Sequence, residues 1–381
     1  MADMIGTAPH SGVHRLAIVG VGLMGGSLGL AARARARVDQ VVGFDQDPAV
    51  LEEALQVGAI TEVATSPAEA AAYADLVVVA APVRSILALV EECATAVPQP
   101  RLISDMGSTK SAILSGLSPS ARSIFIGGHP ICGAESSGVR YARADLFEGA
   151  TYFLCPTGTA FPKLYEMLQQ FVLDFGSRPT LIDAVAHDRI MAVVSHLPHV
   201  LANVLMEHAG RFQASGKKAL HCIGPSFKDL TRVAGANPAM WRDIFLENRE
   251  ALSSSIRSIV ADLQEFSRQL DRGEEPGIVR AIQSAAAFRA ELLEHEDIVP
   301  RTLYRVTIRI PDQPGALTQV MTTLSKEEIN IEDLTLHHVS RSVGGDLVIY
   351  VTGEDTAMRV RELIEEHGYP TVVSFTGDII E

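Results

Sequence analysis

A glycine-rich turn near the start of the chain, Val19-Gly20-Val21-Gly22-Leu23-Met24-Gly25-Gly26, restricts the possible folds more than any other feature. It has the spacing GxGxxG and lies between an apolar stretch, Arg15–Gly20, and an Ala-rich, helix-like stretch, Ser27–Val38. In such a strand–turn–helix unit the glycines allow the tight turn, the approach of a pyrophosphate and the packing of the helix. The sequence therefore predicts a dinucleotide-binding domain, with Gly20, Gly22, Leu23, Met24 and Gly25 at the cofactor.

The choice of cofactor depends on the next apolar stretch, Gln40–Asp45, which ends on a carboxylate 20 residues beyond Gly25. A carboxylate at this place accepts hydrogen bonds from the ribose hydroxyls and repels a 2′-phosphate. Gln46 and Asp47, which follow, carry no positive charge. We therefore expect NAD rather than NADP, with Asp45 on the ribose. Ala81 and Pro82, at the end of a later apolar stretch, are also expected beside the cofactor.

The order of apolar and helical stretches predicts three domains. Residues 1–184 alternate between the two, which is typical of an α/β Rossmann-type domain with a parallel sheet covered on both faces. Residues 185–299 have helical periodicity throughout and are rich in apolar residues, which predicts an all-helical domain that pairs with a second copy in a homodimer. Residues 300–381 follow the order βαββαβ of a ferredoxin-like unit.

Composition excludes several classes of protein. The 381 residues carry a formal net charge of −14, which disfavours a nucleic-acid partner because phosphate backbones need a basic face. The apolar runs look shorter than the ~20 residues that cross a bilayer, and the N-terminus lacks a secretory signal pattern. Four widely separated cysteines indicate free thiols, neither a disulfide framework nor a metal site. We expect a cytoplasmic protein without membrane contact.

Three segments combine hydroxyl groups, histidines and charges. Ser104–Lys110 and Gly127–Gly133 follow predicted strands, whose carboxyl ends border the ligand crevice of a parallel sheet. The third, His187–His199, is helical, and His196 and His199 are one turn apart. Each residue could instead be an ordinary hydrogen-bonded loop or helix-surface residue. No Glu or Cys accompanies the histidines at metalloprotease spacing, so no metal is expected.

A fourth segment, Phe227–Glu250, holds Arg232 among apolar neighbours and the single tryptophan, Trp241. A buried guanidinium is costly unless it meets an anion. That anion is either a substrate carboxylate or a neighbouring side chain, Asp229 or Asp243.

Together these segments resemble the prephenate dehydrogenase family of tyrosine biosynthesis, in order from residue 14 to about 290. The matching segments are VGVGLMGGSLGLA at 19–31, DMGSTK at 105–110, GGHPICG at 127–133, HDRIMAVVSHLPHVLA at 187–202 and DLTRVAGANPAMWRDIFLENRE at 229–250. The resemblance implies NAD-dependent oxidative decarboxylation of prephenate to 4-hydroxyphenylpyruvate. One departure is Thr109, where valine is frequent in the family.

The resemblance also implies roles for individual residues. His129 takes the proton of the substrate 4-hydroxyl, Ser108 bridges that hydroxyl, the histidine and the nicotinamide, and Arg232 binds a substrate carboxylate. His199, His187 and Ser195 line the substrate pocket. Asp188 positions Arg232 or the pocket histidines, and Trp241 and Glu135 are at the pocket wall or entrance.

The last segment resembles an ACT domain, a small-molecule sensor, through Val306–Val320 and Asn330–Leu334. This resemblance implies feedback inhibition by L-tyrosine. The effector residues would be Asp312, Gln313, Pro314, Gly315, Ala316 and Asn330. A purely structural dimerisation unit is the alternative.

Three other functions remain open at this point. An arogenate dehydrogenase would use the same chemistry on a substrate whose side chain carries an amino group in place of the keto group. A β-hydroxyacid dehydrogenase would need a lysine where this chain has His and Asp. A non-catalytic sensor of NAD or an amino acid would not need His129 and Ser108 together.

Overall fold

The computed structural model describes residues 11–133, 136–157, 162–214, 222–294, 303–331, 333–340 and 344–375. Within them the chain divides into two compact units, Met1–Asp262 and Leu263–Glu381. The predicted boundaries near residues 184 and 299 therefore stay a prediction.

Eight strands of the first unit form one sheet in the order β3-β2-β1-β4-β5-β6-β7-β8. They are β1 Arg15–Val19, β2 Gln40–Phe44, β3 Glu62–Val63, β4 Leu76–Val79, β5 Leu102–Asp105, β6 Phe125–Pro130, β7 Thr151–Pro156 and β8 Arg178–Leu181. Strands β1 to β6 are parallel, as predicted, but β7 runs antiparallel to β6 and β8 parallel to β7. The expectation of a wholly parallel sheet is therefore wrong at these two strands. No crossover helix lies in the described part of the β6–β7 connection, so the chain re-enters the sheet from the same end.

Helices cover both faces of this sheet. They are α1 Leu23–Ala34, α2 Pro48–Gln56, α3 Pro67–Ala71, α4 Val83–Ala94, α5 Ser111–Gly116, α6 Pro119–Ser123 and α7 Pro162–Asp174. Alternate residues of β1 belong to different apolar clusters, with Leu16 and Ile18 in one and Ala17 and Val19 in the other. All four are buried, because a strand points successive side chains to opposite faces.

The region after β8 is helical, as predicted, with no strand among its described residues up to 294. It contains α8 Ala184–Met191, α9 Leu197–Ala214, α10 Pro225–Thr231, α11 Pro238–Glu247, α12 Arg249–Arg272 and α13 Glu275–Glu294. A π turn, Ala192–His196, joins α8 to α9, and a 3-10 turn, Arg232–Gly235, follows α10. Asn237 caps α11 by accepting hydrogen bonds from the N–H groups of Ala239 (3.0 Å) and Met240 (3.2 Å).

The helix that runs through the π turn, Ala184–Phe212, has 29 residues and is long and apolar enough to cross a membrane by length and composition. The expectation that no apolar stretch reaches this length is therefore wrong. One such helix is weak evidence for a membrane span. This one carries the buried polar side chains of His187, Asp188 and His196, which favours a position inside a folded protein.

The C-terminal strands form an antiparallel sheet in the order β10-β11-β9-β12. The elements are β9 Leu303–Ile310, α14 Ala316–Lys326, β10 Asp333–Ser340, β11 Gly344–Thr352, α15 Glu354–Glu366 and β12 Thr371–Phe375. This order and topology are those of a ferredoxin-like fold. Its core includes Val306, Ile308, Val320, Ile349 and Val360.

Candidate active site

The glycine turn has the geometry of a phosphate cradle. Gly20 has φ +94°, and a Cβ there would lie 2.5 Å from the carbonyl oxygen of Ala80. A Cβ on Gly25 would collide with the carbonyl oxygen of Gly20. A Cβ on Gly22, in contrast, meets no described atom within 4 Å. The fold itself therefore requires Gly20 and Gly25, whereas the space above Gly22, at the N-terminus of α1, is where a pyrophosphate fits.

The side chain of Asp45 is hydrogen-bonded to this turn. Its Oδ2 accepts a hydrogen bond from the N–H of Val21 (2.9 Å) and its Oδ1 one from the N–H of Asp47 (3.1 Å). The carboxylate thus lies half-buried beside the cradle, where the ribose of a dinucleotide is expected. Ala81 and Pro82 lie at the carboxyl end of the neighbouring strand β4, and the backbone of Ala81 approaches Gly20.

Sequence reasoning missed the roles of Asp105 and Lys110, which form a fully buried ion pair at the end of β5. Asp105 also accepts hydrogen bonds from the N–H of Gly107 (2.8 Å) and from the N–H of Gly128 (3.0 Å). The pair therefore ties the turn that carries Ser108 to strand β6, immediately before His129. A lysine five residues after the last residue of a buried strand was the available signal.

His129, near the end of β6, is half-buried and contacts the fully buried His187 of α8. Nδ1 of His129 lies 2.8 Å from Nε2 of His187, and Nδ1 of His187 lies 2.8 Å from Oδ1 of Asp188. The side chain of His187, which was predicted to line the pocket, is fully buried against His129. Asp188 contacts His187 and accepts hydrogen bonds from the N–H groups of Lys110 and Ser111, both at 2.8 Å.

Three histidines of this site, His129, His196 and His199, have a pKa lowered below the usual value and are neutral at pH 7. Burial, followed by the nearby His187, Lys110 and His196, lowers the pKa of His129 well below its usual value. Burial also lowers the pKa of His196 to about 4, against the raising effect of Asp188. The pKa of His199 is lowered by burial and then by the charge of Arg232. Neutral imidazoles can accept protons from a substrate.

His199 of α9 and Trp241 of α11 come together, and Arg232 lies nearby in the 3-10 turn that follows α10. The ring of His199 stacks on the ring of Trp241, and Arg232 is close enough for its charge to affect His199. Arg232 is exposed at the start of the 3-10 turn rather than buried among apolar neighbours. Ser195 is half-buried in the π turn. Glu135 lies outside the described residues.

Asn248, between α11 and α12, was not predicted, yet it connects two parts of the site. Its Nδ2 lies 2.7 Å from the main-chain oxygen of Asp188 and 3.0 Å from Nδ1 of His196. Because a main-chain oxygen can only accept, the amide nitrogen must face it, and this orients the whole amide. The same nitrogen then donates to Nδ1 of His196, which fixes the neutral tautomer of that buried ring. No local sequence signal marks this contact, since 60 residues separate Asn248 from Asp188.

The predicted effector residues do not form one site within a single chain. Asp312, Gln313, Pro314 and Gly315 are exposed, and the buried Ala316 begins α14. Asn330 is exposed beyond the other end of α14. This 11-residue helix is ~16 Å long, at about 1.5 Å per residue. The turn and Asn330 therefore lie beyond opposite ends of α14.

Two family models match the chain. The nucleotide-binding domain of prephenate dehydrogenase matches residues 28–181, and its dimerization domain matches residues 183–284. The prephenate dehydrogenase of Bacillus subtilis is 28% identical over 353 residues, which are 91% of this chain and 95% of the relative. The structure of A. aeolicus prephenate dehydrogenase in complex with hydroxyphenyl propionate and NAD+ is 30% identical with a TM-score of 0.69, covering 75% of this chain and 99% of that one.

The chain belongs to the prephenate dehydrogenase family.

Membership confirms the predicted NAD-dependent oxidoreductase with a Rossmann-type domain and a helical dimerisation domain. A third relative shows how broad the family's chemistry is. Synechocystis arogenate dehydrogenase is 25% identical with a TM-score of 0.63, covering 73% of this chain and 99% of that structure. Among the described residues of the present chain, no group of three or more His, Cys, Asp or Glu side chains is arranged to hold a metal ion.

Proposed function

We propose that the chain oxidises prephenate to 4-hydroxyphenylpyruvate with loss of CO2, in the biosynthesis of L-tyrosine. One observation carries this proposal: a neutral, half-buried histidine, His129, stands at the carboxyl edge of the same sheet that forms the nucleotide cradle. Ser108 occupies the turn after the adjacent strand β5. A base and a hydroxyl group beside a hydride acceptor are what the oxidation of an alcohol requires.

His129 and Ser108 act on the reacting hydroxyl in this proposal. NAD, bound at the Gly20–Gly25 turn beside Asp45, supplies the hydride acceptor. As the hydride leaves C4, the proton of the 4-hydroxyl passes to His129, oriented by Ser108. The bond from the ring to its carboxylate breaks, CO2 leaves, and the bonding electrons complete the aromatic ring. The ring oxygen then takes the proton back from His129, which gives the phenol of the product and restores the base. Formation of that ring provides the driving force.

Arg232 and His199 hold the carboxylates of the substrate. The chain has a net charge of −14, so long-range attraction does not favour a dianion and local cationic donors must provide it. A guanidinium binds a carboxylate through two parallel N–H groups, which a lysine cannot do. The ring of Trp241 stacks on the ring of His199, and Ser195 lies in the π turn that precedes α9. We keep Glu135 as a candidate residue at the pocket entrance.

The test is NADH formation by the full-length protein with prephenate, with arogenate and with neither. Prephenate should give turnover, and His129→Asn should lower kcat about 10²- to 10⁴-fold, the usual contribution of a general base. The NAD affinity of this variant should stay unchanged. No turnover of either substrate by the wild type would favour a non-catalytic sensor, and equal activity of His129→Asn would remove His129 from the mechanism.

Arogenate is the second candidate substrate, because a related structure is that of an arogenate dehydrogenase. Arg232 and His199 suit two carboxylates and do not distinguish a keto group from an amino group. A higher kcat/KM for arogenate than for prephenate would assign that activity to this chain.

We infer a homodimer formed by the helical region. The family model for this region is a dimerization domain, and α9 leaves Leu201, Val204 and Phe212 exposed, at 40%, 57% and 46% of their surface. Apolar surface of this kind suits a second copy. Sedimentation equilibrium should give twice the mass of the 40.9 kDa chain. All four cysteines are free thiols, consistent with a cytoplasmic location, which we also propose.

We propose that residues 300–381 form an ACT domain that binds L-tyrosine. The ferredoxin-like topology supports this assignment, as does the resemblance of Val306–Val320. Tyrosine should inhibit the full chain, and deletion of 300–381 should abolish the inhibition while leaving turnover. Unchanged inhibition after deletion would move the effector site to the catalytic pocket.

A further inference from the structure

A line of three side chains leads inward from the catalytic edge of the sheet. His129 of β6 contacts His187 of α8, and His187 contacts Asp188. The middle ring is fully buried and also meets the edge of Phe153, with ring centroids 5.4 Å apart. His129 therefore stands at the end of the line that faces the proposed pocket, and Asp188 stands at the buried end.

The positions of the protons along this line follow from the charge of Asp188, the residue at its buried end. Burial alone would raise the pKa of Asp188, but the hydrogen bonds from His187, Ser111 and Lys110 outweigh it and hold the pKa below its usual value. Asp188 is therefore a carboxylate, which can only accept. His187 must donate to it from Nδ1, and a ring that carries this single proton has a lone pair on Nε2. His129 must then donate from its own Nδ1 to that lone pair.

This assignment leaves one ring nitrogen of His129, Nε2, without a proton. A neutral imidazole carries one proton and one lone pair, and the proton of His129 is held on Nδ1. Its Nε2 is thus the basic nitrogen. With the opposite tautomer, Nε2 would carry a proton and could not accept one from a substrate.

We propose that His187 and Asp188 are positioning residues that hold the proton of His129 on Nδ1 and so keep its Nε2 a base. The proposal rests on the function proposed above. When His129 takes the substrate proton, its Nδ1–H already donates to His187, and the carboxylate of Asp188 stabilises the charge through the second ring. His187 thus acts from behind the reacting histidine and touches no substrate.

The groups around His129 favour a neutral ring before it accepts the substrate proton. Among the described residues, the titratable groups that act on His129 come from three elements: His187 of α8, Lys110 after β5 and His196 of the π turn. Lys110 is paired with Asp105, and Asp188 accepts from the main-chain N–H of Lys110. The carboxylate of Asp188 therefore both orients His187 and holds the end of the turn that carries Ser108.

The direct test is the tautomer of His129 in the full-length protein. Long-range proton–nitrogen NMR of ¹⁵N-histidine-labelled protein distinguishes Nδ1–H from Nε2–H, and His129→Asn and His187→Gln assign the two signals. We expect both rings in the Nδ1–H form. A signal of His129 in the Nε2–H form would overturn the proposal, whatever the substrate of the enzyme.

Kinetics of two variants supply the second test. His187→Leu offers neither a donor nor an acceptor, whereas the amide of His187→Gln can accept from His129 and donate to Asp188. We expect kcat to fall about 10- to 100-fold in the Leu variant, the range usual for a partner that orients a reactive side chain, and less in the Gln variant. The KM for prephenate and the affinity for NAD should stay unchanged in both.

The controls separate this proposal from a merely structural role. The variant His14→Leu, at an exposed position before β1, should have wild-type kcat. Equal losses in the Leu and Gln variants, accompanied by weaker NAD binding and a lower Tm, would mean that His187 only fills the core. Wild-type kcat in His187→Leu would also contradict the proposal. Absence of prephenate turnover in the wild type would instead refute the proposed function, and the NMR result would still decide the tautomer.

Discussion

The ring of His199 lies flat against the ring of Trp241, with centroids 3.4 Å apart and planes inclined by 27°. His199 is one of the two groups proposed to hold substrate carboxylates, so the indole fixes the orientation of a substrate-binding side chain. Aromatic pairs contribute about 0.5–1.5 kcal/mol beyond their buried area. We expect Trp241→Leu to raise the KM for prephenate about 2- to 10-fold with little change in kcat. Trp241→Phe should retain most of the affinity, and a KM unchanged in the Leu variant would show that the stacking does not matter.

Substitutions at two glycines of the turn should affect different properties, namely NAD affinity at Gly22 and stability at Gly25. Gly22→Ala adds a methyl group where no described atom lies within 4 Å, so the Tm should be preserved. The methyl group occupies the space for the pyrophosphate, and NAD affinity should fall at least about tenfold, or ~1.4 kcal/mol. Gly25→Ala collides with the carbonyl oxygen of Gly20 and should lower stability by about 1–3 kcal/mol. Calorimetric titration and thermal unfolding measure the two effects, and tight NAD binding by Gly22→Ala would contradict the assigned cradle.

Thr109 provides a stability prediction. Its side chain is fully buried, and among the described residues its Oγ1 has no hydrogen-bond partner. Thr109→Val keeps the shape and removes an unsatisfied polar group, so the free energy of unfolding should rise by about 1 kcal/mol. The matched control is Thr157→Val, because the buried Thr157 donates from Oγ1 to the main-chain oxygen of Arg122 at 2.8 Å. That variant should lose about 1 kcal/mol in the same denaturation experiment, and a loss in both would show that Oγ1 of Thr109 is satisfied.

The buried histidines predict how stability depends on pH. His196 has a pKa of about 4 in the folded protein, against about 6.5 in an unfolded chain. Between these values the unfolded chain binds more protons, so the free energy of unfolding falls as the pH is lowered from 6.5 towards 4, by at most about 1.4 kcal/mol per pH unit for this group. The lowered pKa of His129 acts in the same direction. His196→Gln should therefore show a shallower decrease of Tm with falling pH than the wild type. His14→Gln, at an exposed position before β1, should keep the wild-type slope. Equal slopes in all three proteins would show that His196 does not contribute to the pH dependence of stability.

Local patterns account for the features that the sequence predicted well. The GxGxxG turn and Asp45 lie within 26 residues of each other, and their positions between β1, α1 and β2 follow from strand and helix periodicity alone. The antiparallel direction of β7 could not be predicted in this way. It depends on the path of the connection after Pro130, which composition does not describe.

Long-range packing accounts for the features that were missed. The sequence places His187 on a helix beside Asp188, but whether its ring faces a pocket or the core depends on how α8 packs against β6. Asn248 is similar, since its partners are Asp188 and His196 on a distant helix. The ion pair of Asp105 and Lys110 is different, because a carboxylate ending a buried strand could have indicated that the nearby lysine is buried with it.

The separation of Asn330 from the Asp312–Gly315 turn by the length of α14 has a consequence for the proposed feedback inhibition. A ligand as small as an amino acid that contacts both must be shared by two chains, so it acts as a reversible cross-link. By mass action such an effector strengthens association of the chains, and association in turn raises affinity for the effector. Inhibition would then weaken on dilution of the enzyme at constant effector concentration, which makes the amount of enzyme in the cell itself a regulatory variable.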